Sequence, residues 1–230
     1  MAARFLAHVS RGGVVVFVCL TFMGCQGRPS PAAPTTLGAM PARELVHQLA
    51  SGGYVIFFRH AARDLNVLAT TDLAVVDNAG ECVPGSALTE AGAVDARALG
   101  AAFVRLGVGV DKVHASPTCR TIQMASLMFP DHATTRALSW PGMWYRDEEA
   151  FLTAELIDLL GTLPAPSLNT VLISHNDVLQ AGRVGVGISL EQSEAAIFRP
   201  GGAGAFELIG RITKEEWTTL VGIPAGAMQQ

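Results

Sequence analysis

The sequence predicts an α/β fold: a three-layer sandwich with a mostly parallel central sheet and helices on both faces. Three observations predict it. Two stretches, "YVIFF" and "NTVLISH", are continuous apolar runs, as expected of central strands buried on both faces. Helical and strand-like patterns alternate along the chain, which is the signature of helices packed on a sheet. Half of the 230 residues are hydrophobic and only 16% are charged, enough apolar surface for a real core and too little charge for a disordered chain.

The elements follow in order. "PARELVHQLASGG", with Pro41 in its first turn and glycine after its last, reads as a short helix. "YVIFF" is a strand that ends in Arg59 and His60. Asp64 to Ser86 is irregular and reads as a long loop. "LTEAGAVDARALGAAFVRLG" is a helix capped by Thr89 and closed by Leu106-Gly107. "DKVHAS" is a short strand, and "PTCRTIQMASLMF" is a helix with Pro117 at its start. "ATTRALSW" reads as a strand, "EEAFLTAELIDLLGTL" as an amphipathic helix and "NTVLISH" as the second buried strand. "EAAIFRP" and "GAFELIGRI" are late strands, paired as a hairpin around "GGAG".

Ahead of this domain lies a segment with a targeting composition. "MAARFLAHVSR" carries two arginines and no acid, and "GGVVVFVCLTFMG" is an apolar run of roughly a dozen residues, short of the ~20 needed to span a bilayer. "FMGC" resembles a bacterial lipobox, with Phe22 where leucine is usual. The expected division is a lipoprotein-type signal over 1–24, a tether over 25–40 and the folded domain over 41–230. The lipid anchor would sit on Cys25, placing the protein in the cell envelope or periplasm. An ordinary secretory signal or an uncleaved anchor is the alternative. The Pro-, Ala- and Thr-rich "GRPSPAAPTTLGAMP" suits a tether.

Four cysteines are present. Cys19 falls in the apolar run and Cys25 at the lipobox, leaving Cys82 and Cys119 in the domain. In an exported protein these two are expected to form a disulfide, the alternative being two separate buried thiols. Two isolated cysteines do not make a zinc set, and no metal or other cofactor is implied. A net charge of −4 gives no sign of nucleic-acid binding.

Three strand ends compete for the carboxyl edge of the sheet, where ligands bind in such folds: "FFRHAAR", "HASPTCR" and "LISHND". His60 and His175 each directly follow an apolar strand. His47 and His132 read as solvated, and His114 as a strand-end packing residue. Arg59, Arg63 and Arg120 would converge beside the two histidines. Guanidinium groups repel one another and cannot lose their charge, so the pocket calls for an anion whose oxygens match their forks. The same field lowers a nearby imidazole's pKa and keeps it neutral, its nucleophilic form.

These segments resemble the histidine phosphatase superfamily, the phosphoglycerate mutase-like proteins, and in particular its small bacterial branch. "FFRHAAR" resembles the Arg-His-Gly signature, "ALTEAGAVDARALG" the Leu-(Thr/Ser)-x-x-Gly helix, "VHASPTCRTIQMA" the segment carrying a later arginine, and "TVLISHND" the strand with the second histidine. They occur in the family order between Tyr54 and Asp177. The resemblance implies His60 as the nucleophile that becomes phosphohistidine, Arg59, Arg63 and Arg120 on the phosphoryl oxygens, and His175 completing the pocket, all without metal. It implies hydrolysis of a small phosphorylated substrate, with a non-catalytic anion-binding envelope protein or a phosphomutase as alternatives. Two departures stand out. Ala61 replaces the usual glycine, which a left-handed backbone there would forbid, and Met124 stands where threonine is common. The proton donor is left among Asp147, Glu148, Glu149 and Asp177, or to none of them, in which case substrates with good leaving groups are expected. The segment Trp140 to Tyr145, with Gly142 and Trp144, is expected to line the entrance with the long loop.

Overall fold

The computed structural model describes residues 40–64, 82, 87–139, 148–179 and 183–222, all within a compact unit, Leu37–Gln230. The signal, Cys25 and the tether, most of the 64–86 loop, Asp147 and the segment from Trp140 to Tyr145 lie outside the described residues.

Strands β1 (Val55–Arg59), β2 (Val110–Ala115), β3 (Ala133–Thr134), β4 (Asn169–Ser174), β5 (Ala195–Gly202) and β6 (Ala205–Ile212) form one sheet in the order β3-β2-β4-β1-β5-β6. β3, β2, β4 and β1 run parallel. β5 joins β1 antiparallel, and β6 returns antiparallel to β5. The sheet is therefore mixed, and the expectation of a mostly parallel sheet holds for one half only. The reason is connectivity: a tight hairpin can only join antiparallel strands, and β5 enters on the free edge of β1.

Helices α1 (Ala42–Ser51), α2 (Glu90–Arg105), α3 (Cys119–Met128), α4 (Glu149–Gly161) and α5 (Lys214–Val221) complete the described elements, with a 3₁₀ turn at Arg136–Leu138 and another at Asn176–Leu179. Two apolar clusters use alternate residues of β1, as the two-residue period of a strand requires. Ile56 and Phe58 meet Leu49 of α1, Phe103 of α2, Met124 of α3 and Trp217 of α5. Val55 and Phe57 meet Leu156 and Leu160 of α4 and Phe198 of β5. Trp217 stacks on Phe103 with ring centroids 5.1 Å apart.

Several local expectations differ in detail. α3 begins at Cys119, with Thr118 as its cap residue, so Pro117 stands outside the helix and not in its first turn. "ATTRALSW" is a two-residue strand followed by the 3₁₀ turn. α5 has no counterpart in the sequence reading. Its capping box joins Thr213 and Glu216 reciprocally. No helix among the described residues is long and apolar enough to cross a membrane.

Candidate active site

β1 and β4 pair in parallel with Arg59 opposite Ser174, so the residue leaving each strand is a histidine. The His60 amide donates to the Ser174 carbonyl at 2.9 Å, extending the ladder by one step. The two imidazoles stand edge to face with centroids 5.4 Å apart. Both are almost fully buried, His60 at 5% and His175 at 4% exposure.

The hydrogen bonds decide the tautomers. Nδ1 of His60 lies 2.8 Å from the Ala61 carbonyl, which can only accept, so Nδ1 carries the proton and Nε2 keeps its lone pair. Nδ1 of His175 lies 3.3 Å from Nη2 of Arg120, which can only donate. His175 therefore accepts there and donates its Nε2–H to Ser116 Oγ at 2.9 Å. Burial pushes the His60 pKa down to about 3, and Arg120, Arg59 and Arg63 add to that shift. His175 is likewise held well below the ordinary value, first by burial, then by Arg120 and His60. Both rings are neutral at physiological pH.

The three arginines predicted from sequence come together around these rings. Arg120 is buried at the start of α3. Arg59, at the end of β1, donates from Nη1 to the Leu190 carbonyl at 2.6 Å. Its Nε is buried and has no partner among the described residues. Arg63 pairs through its backbone with Leu88, fixing where the chain leaves the site and where it returns.

Two motif segments hold this arrangement. At the start of α2, Thr89 caps the helix by accepting from the Gly92 amide at 3.1 Å. The Thr89 amide and hydroxyl both donate to the Ala62 carbonyl. A Cβ at Gly92 would sit 2.3 Å from that same oxygen, so only glycine lets α2 approach the chain this closely. Ala61 is fully buried in the core and stays out of the left-handed region, which accounts for a residue other than glycine after His60. On α3, Cys119 forms a disulfide with Cys82, with Cα atoms 5.7 Å apart. Gln123 of the same helix donates to Cys82 Sγ and accepts from the Leu88 amide at 2.8 Å. The element that presents Arg120 therefore also anchors Cys82 and Leu88.

The candidate proton donors are not drawn into the histidine pair. Glu148 forms an ion pair with Arg136. Glu149 and Asp177 are exposed. His47 is exposed as expected, and His132 is half-buried near Ser126. His114 is half-buried on β2 and lines an open groove of about 500 Å³ with residues of β3 and α4.

The sequence reading missed the turn over 189–194. Asn176, directly after His175, accepts from the Leu190 amide at 2.7 Å. Glu194, 3% exposed, accepts two hydrogen bonds from Arg211 at 2.7 Å each. Glu194 and Arg211 lie 17 residues apart, and no local pattern in the sequence joins them.

No protein-family model matches this chain, and no curated protein matches it. Among solved structures, the chain is similar to the protein histidine phosphatase SixA complexed with tungstate, at 16% identity and a TM-score of 0.47, covering 70% of this chain and 97% of the other. It is also similar to a mutant phosphoserine phosphatase from Entamoeba histolytica in complex with phosphoserine, at 12% identity and a TM-score of 0.47, covering 71% and 98%.

Proposed function

We propose that the protein is a phosphatase of the histidine phosphatase type, acting on a small phosphorylated substrate through a phosphohistidine on His60. One observation carries the reading: a buried, neutral imidazole whose Nε2 lone pair is left over, under the field of Arg59, Arg63 and Arg120. Nε2 attacks phosphorus as the bond to the leaving group breaks, and the departing atom takes a proton from solvent water. Water then attacks phosphorus, the P–N bond breaks, and phosphate leaves with His60 neutral again. The arginines neutralise the charge on the phosphoryl oxygens throughout, and His175 holds Arg120 in place. Phosphoryl transfer depends chiefly on such positioning and charge stabilisation.

Ala61 argues against the reading of an idle anion-binding pocket, because the backbone geometry after the nucleophile accepts alanine without strain. The test is a panel of phosphate esters and phosphoramidates on the purified full chain and on His60→Ala. Turnover in the wild type, with a trapped acid-labile phosphoenzyme, and its abolition in a folded His60→Ala are expected. Full activity in His60→Ala would remove the mechanism.

Export and tethering through Cys25 complete the proposal. The targeting composition of the first residues supports it, as does a disulfide, which persists in oxidising compartments. Cys25→Ser should move the protein from the membrane fraction to the soluble one; an unchanged distribution would exclude the anchor.

A further inference from the structure

The turn from Ser189 to Glu194 touches the end of β1 at three points. The Arg59 amide donates to the Glu194 carbonyl at 3.1 Å, and the Ser193 amide donates to the His60 carbonyl at 3.3 Å. Between them, the Leu190 carbonyl takes one nitrogen of the Arg59 guanidinium. The backbone of one short turn thus meets both the arginine and the nucleophile.

That turn is held from below by a buried carboxylate. Glu194 Oε1 accepts from Arg211 Nε, while Oε2 accepts from Arg211 Nη2 and from the Glu191 amide at 2.6 Å. Arg211 Nη2 also donates to the Ser189 carbonyl at 2.8 Å. The fork therefore grips both ends of the turn. Burying a carboxylate is costly, and a fold that needed only packing there would do as well with an apolar residue. What an apolar residue could not do is set the direction of the Leu190 carbonyl. That carbonyl takes Nη1 of Arg59, which fixes the plane in which the guanidinium lies.

We propose that Glu194 and Arg211 are positioning residues for the phosphoryl pocket: their bidentate pair fixes the 189–194 turn so that Leu190 aims the Arg59 fork beside His60. The inference rests on reading the pocket as a phosphoryl site.

Orthovanadate binding by calorimetry and hydrolysis of p-nitrophenyl phosphate, both on the full chain, test the idea in a double-mutant cycle. Arg211→Gln is expected to weaken vanadate binding and raise KM by about tenfold or more, with kcat moving less. In an Arg59→Ala background, adding Arg211→Gln should change vanadate affinity by less than about twofold, because the group being aimed is gone. Glu194→Gln, which keeps the shape of the turn, enters the same cycle in its place if Arg211→Gln does not fold by circular dichroism. Equal penalties in both backgrounds, or wild-type vanadate affinity in a folded variant, would overturn the inference. A wild type that neither binds vanadate nor hydrolyses the ester would bring down the reading of the pocket itself, and the inference with it.

Discussion

His60 and His175 differ from ordinary histidines in what they do to stability. In the unfolded chain each titrates near 6.5, whereas in the fold His60 takes a proton only near pH 3 and His175 well below its ordinary value. Between those limits the unfolded state binds more protons, so stability falls as pH falls. Each histidine contributes a slope of up to about 1.4 kcal/mol per pH unit. Urea unfolding in phosphate-free buffer should show a midpoint that is steady above about pH 7.5 and drops steadily toward pH 5. His60→Asn should flatten part of that drop. A midpoint unchanged between those pH values would contradict the buried neutral pair. Both rings were legible in the sequence because each follows an unbroken apolar run. Their tautomers were not, since that of His175 depends on Arg120 and Ser116, which only the folded chain brings near, and that of His60 on how the backbone turns the Ala61 carbonyl onto the ring.

At the scale of elements, the approach of α2 to the chain after His60 is set by one missing methyl group. Gly92→Ala would press Cβ into the Ala62 carbonyl, two residues from His60, and helix and loop cannot both stay where they are. We expect a loss of about 1–3 kcal/mol in urea unfolding and a fall in turnover beyond what the unfolded fraction explains. Wild-type turnover would show that the loop tolerates the shift. The Cys82–Cys119 bridge spans 37 residues, and constraint of the unfolded chain by a loop of that size is worth about 4 kcal/mol in the chain-entropy model. Dithiothreitol should lower the thermal midpoint by many degrees and weaken vanadate binding, because the same helix carries Arg120. A midpoint unmoved by complete reduction would separate the bridge from the fold's stability. The α2 cap and the glycine spacing were readable from the chain. α5 was missed although Thr213 and Glu216 have capping-box spacing, because eight residues are too short to show an apolar period.

For the whole molecule, local pattern reached the parallel half of the sheet and stopped there. β1 and β4 announced themselves because both faces of each are covered, which leaves an unbroken apolar run inside each, Val55–Phe58 and Val171–Ile173. β5 and β6 were recognised as a hairpin, but which edge they join is a long-range choice that no local run encodes. That edge matters, since it brings the 189–194 turn against Arg59 and with it the pair of Glu194 and Arg211, which no local run connects.

The pairing of Arg59 with Ser174 carries one more consequence, for how such a chain can change over time. The histidines meet because two strands count off the same number of steps, not because a loop was shaped to join them. Letters within β1 and β4 can be exchanged among apolar residues of similar size. Their lengths cannot: losing or gaining a single residue within either strand would swap the two buried faces beyond that point and turn its histidine away from the other. Spelling is free to drift here while the count stays locked.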